Sequence, residues 1–331
     1  MFFIFFKKRV VGFSVKIVQI AKNIIPVPPI GYGGTERDIH YLTNCLIDRG
    51  HEVIIFAKQG SKCKGKLIPY PKNSSKNLLP FVKKNLPDGV DVIIDHAGFV
   101  ATAKLPIPTL CSIHSAIKFN VQFPIYVSEY LLEHKGNGKG YFIHNGIGVE
   151  DYPYLEQKEN YLLSLGRIIP SKGTHLAIMA AKATGNSLII AGNVPKKGIS
   201  YFNKKVKPHI DGEQINYIGE VGGERKMELL SKAKCVLFPI TWGEPFGLVP
   251  IEAMACGTPV IAFRKGGVLE TMSGFPELTC NNLNGMVTIL QRSNFPPPQK
   301  LRDYVTQYFS AEVMTDNFEK LIHKAIKEYK T

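Results

Sequence analysis

Short, continuously apolar runs rich in Val, Ile and Leu, each separated by a longer stretch, constrain this chain to one fold class. VKIVQI (15–20), VIIFA (53–57), DVIID (91–95) and PTLCSI (108–113) occupy the first half. YLLSL (161–165), SLIIA (187–191), NYI (216–218), CVLF (235–238) and VIAF (260–263) occupy the second. Runs of this kind read as strands buried on both faces, the mark of a parallel sheet covered by helices. Between the first two, Ile39, Leu42, Cys45 and Leu46 recur at helical spacing. Thr35 and Asp38 form a Thr-x-x-Asp capping pattern ahead of them, and Gly50 closes the helix. The result is a βαβ unit, hence a doubly wound sheet whose ligands lie beyond the carboxyl ends of its strands. A chain of 331 residues with 44% hydrophobic content can build two such domains. Composition shifts at the acidic VEDYPYLEQKEN, which places the boundary near Asp151. The expected layout is a first domain over 1–150 with an extension at 1–14, a second over 151–307, and a terminal segment over 308–331. Residues 281–300, with Asn-Gly and a triple proline, read as loop. Phe309–Tyr329 reads as one amphipathic helix.

The stretch TWGEPFGLVPIEAMACGTPVIAFRKGG (241–267) carries chemistry. Pro245 fixes its own φ and biases Glu244 away from helical angles, so Glu244 projects from a loop. Leu248–Cys256 reads as a short helix, Gly257 as its left-handed cap and Pro259 as its stop. Glu252 then lies about one turn inside a helix that starts at Phe246 and Gly247. Such a start offers unpaired N–H groups and a partial positive charge to an anion. One acid before that anion site and one just inside it can grip hydroxyls on both sides of a bound phosphate. A sugar joined through a diphosphate to a ribose has that layout. In GRIIPSKG, Arg167 offers a planar fork and Lys172 a point charge, both suited to a diphosphate. In GYGGTER, Gly33 and Gly34 permit close backbone approach before a helix start, although a flexible turn without ligand explains Gly33 equally well. The third glycine and tight turn of a dinucleotide fingerprint are absent, which argues against a dehydrogenase. His96 and His114 follow strands directly, at the ligand edge of a parallel sheet.

These motifs together resemble retaining GT-B glycosyltransferases, in particular the family four group that uses nucleotide-sugar donors. The resemblance covers nearly the whole chain beyond residue 14 and is carried most by 161–175 and 241–267. It implies two Rossmann-like doubly wound domains facing each other across a cleft, with the last helix crossing back to the first domain. It implies that Glu244 contacts the donor sugar, with Pro245, Phe246, Gly247 and Leu248 around the donor, and that Glu252 holds the ribose hydroxyls. Arg167 and Lys172 would neutralise the leaving diphosphate, Gly33 and Gly34 would face it, and Val221 would touch the base. His114 would sit near the reacting carbon. No Asp-x-Asp occurs, so no metal and no cofactor are expected, and the cations and helix start stand in for a metal. The stretch from His114 to Tyr126 is shorter than the family's usual excursion, implying an open, shallow acceptor site. Two other classes fit the same architecture: a nucleotide-sugar isomerase of the 2-epimerase kind, and a non-catalytic partner that binds donor. The first needs acids or bases on both faces of the sugar, which the sequence does not plainly offer.

The net charge is +14, but the lysines come in short pairs such as Lys83-Lys84, Lys196-Lys197 and Lys204-Lys205. No basic stripe interleaved with aromatics appears, so nucleic acid is not an expected partner. Such a surface suits anionic lipid headgroups or phosphate-bearing acceptors, and the expected acceptor is a glycan or lipid-linked species. The six cysteines show no zinc spacing, and Cys111, Cys235 and Cys256 lie in apolar runs. They read as reduced core thiols of a cytoplasmic protein. No stretch reaches the roughly 20 apolar residues of a membrane span. The opening MFFIFFKK is too short for a signal core and its charges follow the apolar run. The expected location is the cytoplasm, peripheral to the inner face of the membrane.

Overall fold

A computed structural model describes residues 14–72, 77–115 and 120–330. All but the last residue of the 1–14 extension lies outside the described residues. The first sheet contains β1 (Lys16–Ile20), β2 (Glu52–Ala57), β3 (Lys66–Pro69), β4 (Val92–Asp95), β5 (Thr109–Ile113), β6 (Phe123–Tyr126) and β7 (Tyr141–Phe142). Their order is β3-β2-β1-β4-β5-β6-β7, and every pairing is parallel. The second sheet contains β8 (Tyr161–Leu165), β9 (Ser187–Ala191), β10 (Ile215–Tyr217), β11 (Cys235–Phe238), β12 (Val260–Phe263) and β13 (Thr279–Cys280). Its order is β10-β9-β8-β11-β12-β13, again parallel throughout. Both sheets are doubly wound, as the strand runs predict. Chain direction switches between β1 and β4 and between β8 and β11, so each sheet opens a crevice at those carboxyl ends.

The strands missed in the sequence are marginal ones. β3 is half-exposed, β6 contains Pro124, and β7 and β13 have only two residues each, so none shows a clean apolar run. The central strands are apolar because they are covered on both faces: Ile17, Val18 and Ile20 of β1 are fully buried. Gln19 is fully buried with them, and its amide donates to Thr43 Oγ1 at 2.9 Å. Leaving that amide unpaired in the core would cost about 1–3 kcal/mol.

Three expectations need correction. Residues 281–300 are largely helical, with Leu283–Arg292 and the start of Pro298–Phe309. The Asn-Gly pair sits in the first helical turn, where Asn282 caps by accepting from the Gly285 N–H at 3.0 Å. The prolines precede the next helix, whose first position tolerates a missing N–H. The terminal helix forms as expected but starts at Ala311 rather than Phe309, running over Ala311–Lys330, because Ser310 separates it from a preceding helix, Pro298–Phe309. Ile147 inserts there, donating to Phe309 O at 3.0 Å and accepting from Ala311 N–H at 2.8 Å. Finally, the Gly34–Asp48 helix starts after Gly33 with no side-chain cap. Asp38 is turned inward instead and is buried beside His96 and His114.

The Ala311–Lys330 helix packs against the Gly34–Asp48 helix and against β4 and β5. Arg49 pairs with Asp316 and Glu319 on that face. Arg302 ties the crossing to the second sheet, donating to the carbonyls of Tyr152 and Ala255, both at 2.7 Å, and of Val149 at 3.0 Å. Among the described residues no helix is long and apolar enough to cross a membrane.

Candidate active site

The two switch points face each other, and one cleft is lined from both sides. Gly33, Gly34 and Arg37 come from the loop and helix after β1. Arg167 and Lys172 follow β8, Val221 follows β10, and Leu248 and Glu252 lie on the helix after β11. Each of these residues is therefore carried at the carboxyl end of a parallel strand, where successive loops converge.

Local structure explains two glycines. Gly173, with φ 70°, ends the short turn Pro170–Lys172 and precedes the Thr174–Thr184 helix. A Cβ there would meet Pro239 O at 1.9 Å, so only glycine lets the Lys172 turn lie on the end of β11. A Cβ on Gly34 would meet Leu248 Cδ1 at 2.8 Å, so the two domains touch here and a larger residue would have to turn the Leu248 side chain aside.

The acids and cations pair on the second domain's wall of this cleft, and Arg37 reaches Glu252 from the first domain. Lys172 Nζ donates to Glu244 Oε2 at 2.7 Å, and Trp242 Nε1 donates to the same oxygen at 2.7 Å. Glu252 is 2% exposed. Its Oε1 accepts from Lys226 Nζ at 2.6 Å and from the Tyr152 hydroxyl at 3.0 Å, with Arg37 Nε at 3.6 Å. Burial pushes the Glu252 carboxyl up, but Lys226 and Arg37 outweigh it and hold the group below the usual carboxylate range. Arg167 lies over the Tyr32 ring at 5.0 Å, and its buried Nε has no hydrogen-bond partner. An unpaired buried donor in a cleft that also holds Lys172, Arg37 and Lys226 makes it a place for an anion.

Other predicted residues sit elsewhere. The Phe246 side chain is buried against His144 and Phe309, at 5.6 and 5.9 Å, so only its backbone can meet a ligand. Pro245 has no N–H to offer, and its carbonyl accepts from Ser128 Oγ. Gly247 caps the Leu248–Ala255 helix with φ 98°. His114 does not line the cleft with these groups. It lies at the end of β5, one hydrogen bond from His96 Nδ1 at 3.1 Å and 3.0 Å from Ser112 Oγ. Asp38, His96 and His114 bring ligand-type atoms within 4.8 Å of one another, and among the described residues this is the grouping that could hold a metal ion.

Sequence reasoning missed Arg37, Lys226, Tyr152, Tyr32 and Trp242. Arg37 left a weak signal, because it stands three residues after Gly34 on a helix that begins at the cleft. Lys226, Tyr152 and Trp242 left none, since their partners are distant or lie across a turn.

Residues 153–275 match the family described as glycosyl transferases group 1. An uncharacterized glycosyltransferase of Methanocaldococcus jannaschii is 26% identical over 254 residues, 68% of this chain and 67% of that protein. The O-antigen chain mannosyltransferase RfbU of Salmonella typhimurium is 33% identical over 121 residues, 36% of this chain and 34% of its own length. The chain thus spans about a third of the length of that second relative. The crystal structure of AviGT4, a glycosyltransferase involved in avilamycin A biosynthesis, superimposes with a TM-score of 0.84. It is 25% identical, and the alignment covers 95% of this chain and 98% of that one. The two-domain GT-B architecture implied by the sequence motifs is therefore the one observed.

Proposed function

We propose that this chain, whose residues 153–275 match the group 1 glycosyl transferases within a GT-B fold, is a glycosyltransferase that transfers a hexose with retention and without a metal. The donor is a nucleoside diphosphate sugar, linked to uridine or guanosine, and the acceptor is a glycan or lipid-linked species. The observation that carries this reading is the convergence of Arg167, Lys172 and Glu252 on one cleft, with Glu244 bonded to Lys172. A diphosphate laid against Arg167 and Lys172 satisfies the orphaned Arg167 Nε and meets the start of the Leu248–Ala255 helix. Every described partner of Glu252 is on Oε1, which leaves Oε2 for ribose hydroxyls. Glu244 and the N–H groups of Phe246–Leu248 beside Pro245 orient the sugar, Gly33 and Gly34 close over the diphosphate, and Val221 borders the base; the place beside the anomeric carbon that the resemblance gives His114 lies outside this lining. The kinship with a mannosyltransferase supports a hexose.

In the reaction, the anomeric carbon loses its bond to the diphosphate oxygen and gains one to the acceptor oxygen on the same face. The acceptor's proton passes to the departing diphosphate, so no protein base is required. Stabilising that departing charge is the largest task, and fixed cations perform it without reorganisation. The basic surface also suits an anionic membrane as a peripheral docking site.

The test incubates the full chain with labelled nucleotide sugars, with and without chelator, and follows products by chromatography and anomeric proton couplings. Slow hydrolysis or transfer with retained configuration, unaffected by chelator, is expected. An epimeric nucleotide sugar would assign an isomerase, and binding without turnover would assign a donor-binding partner.

A further inference from the structure

The turn that carries Glu244 is gripped from both domains, and the hydrogen bonds that grip it form a closed circuit. Ser128 follows β6 in the first domain and is fully buried. Its hydroxyl donates to Pro245 O and accepts from the Leu131 N–H at 3.0 Å. One side chain thus caps the helical segment that opens at Glu129 and holds the Glu244 turn. Glu244 O accepts from the Gly267 N–H at 2.8 Å. The Glu270 N–H donates to Gly267 O at 3.1 Å, and the Glu270 carboxylate reaches back across the domain boundary. Its Oε2 accepts from the Glu129 N–H and its Oε1 from the Tyr130 N–H, both at 2.8 Å. Those are the first two amides after Ser128, where the circuit began. His144 Nε2 lies 2.7 Å from the same Oε2.

Packing leaves the turn little freedom besides. A Cβ on Gly266 would lie 2.4 Å from Glu244 O, and one on Gly267 2.5 Å from Pro245 O. On the other side, a Cβ on Gly243 would lie 2.0 Å from the Tyr130 hydroxyl. The turn is therefore held between the backbone after β12 and the first domain. Hydrogen bonds from backbone N–H groups to a carboxylate are roughly twice as strong as neutral ones, so Glu270 is the firm anchor of the circuit. Neither Ser128 nor Glu270 lines the cleft. What they govern is the main chain from which the Glu244 side chain reaches Lys172 and Trp242.

We propose that Ser128 and Glu270 are positioning residues: through this circuit, docking of the first domain on the second fixes the turn that sets Glu244 against the donor sugar. This rests on the reading of Glu244 as the acid that contacts the sugar. The placement of that acid then depends on the domains being docked. An undocked molecule can still hold a nucleotide through Arg167 and Glu252 without presenting Glu244 in register.

The test uses the full chain and reads the turn through Trp242, the sole tryptophan, whose indole N–H is bonded to Glu244 Oε2. Ser128→Ala and Glu270→Gln each open the circuit. Arg49→Met, which removes the ion pairs to Asp316 and Glu319 outside it, controls for lost stability. Each variant is assayed below its thermal midpoint. Both circuit variants should raise iodide quenching of Trp242 in the absence of substrate. They should lower kcat for donor hydrolysis about three- to tenfold, the worth of one hydrogen bond. Donor KM should change less than about twofold, since Arg167 and Glu252 stand outside the circuit. The double variant should lose little more than the worse single one, because a circuit once opened no longer constrains the turn. The control should melt earlier, with wild-type quenching and kcat. Circuit variants with wild-type quenching and kcat refute the proposal. Losses that multiply in the double variant refute it too, as does a control that loses kcat like the circuit variants. The quenching needs no substrate, so a chain that turns over no nucleotide sugar would sink the functional reading while the quenching still decides whether Ser128 and Glu270 hold the turn.

Discussion

Glu252→Ala should damage this protein twice, once in stability and once in donor binding, and the two losses can be separated. In the fold, Glu252 Oε1 is the shared partner of Lys226 at 2.6 Å and Tyr152 at 3.0 Å, with Arg37 at 3.6 Å. Lys226 is 9% exposed, so removing the carboxylate strands a buried ammonium. Breaking one side of a buried ion pair costs about 3–5 kcal/mol. Replacing both partners by neutral groups of similar volume is often close to neutral. Glu252→Gln combined with Lys226→Met should therefore regain most of the lost stability. It should not regain full nucleotide affinity, because two charge-assisted hydrogen bonds to ribose hydroxyls (about 1.5–3 kcal/mol each) become neutral ones (about 0.5–1.5 kcal/mol each), a loss of about 2–3 kcal/mol or roughly thirty- to a hundredfold. Urea unfolding of the two variants, with calorimetric titration by uridine, guanosine and adenosine diphosphates, measures both terms. A Glu252→Ala protein with the wild-type unfolding midpoint would refute the ion-pair argument. A double variant that binds nucleotide like the wild type would refute the ribose assignment.

The remaining predictions concern the opposite wall and the response to acid. Lys172→Ala should lower the transfer rate about 10²- to 10³-fold, while costing about 1–2 kcal/mol of stability because Trp242 still donates to Glu244; steady-state kinetics with a thermal melt checks it, and unchanged turnover removes Lys172 from the site. Trp242 is the sole tryptophan, and its indole N–H is bonded to Glu244. Its fluorescence should therefore shift on addition of a sugar nucleotide and much less on addition of the free nucleotide; equal responses would detach Glu244 from the sugar. The Glu252 carboxyl is held below the usual carboxylate range, so its stabilising contribution is fully present above about pH 4.5 and is lost as pH falls through the lower folded value. Stability measured from pH 6 down to 3 should fall more steeply in the wild type than in Glu252→Gln, and parallel curves would contradict the assignment.

Much of the architecture was legible because it rests on local chemistry. β8, β9, β11 and β12 begin and end where the apolar runs do, since a strand buried on both faces has no other composition open to it. The turn at Pro245, the helix at Leu248 and the left-handed Gly257 were likewise readable from residues within a few positions. Where the reading failed, a distant segment intervened. The last helix starts at Ala311 rather than Phe309 because Ile147 pairs with the flanks of Ser310, and nothing near residue 310 announces that partner. Asp38 looked like a cap on a helix start, yet the fold points it at two histidines from other strands. Residues 283–292 looked like loop because Asn-Gly marks turns, but Asn282 uses its side chain to start a helix.

The amino-acid sequence by itself determined that two parallel sheets form and which acids and cations stand at the ends of their strands, because strand burial, turn geometry and side-chain charge are properties of short segments. Only the tertiary structure decided which of those groups meet: Glu252 with Lys226, Tyr152 and Arg37, Glu244 with Lys172 and Trp242, His114 with His96 rather than with the cleft cations. Those encounters depend on how one sheet docks against the other and on contacts between residues far apart in the chain, and such contacts impose no periodicity on the sequence that could be read in advance.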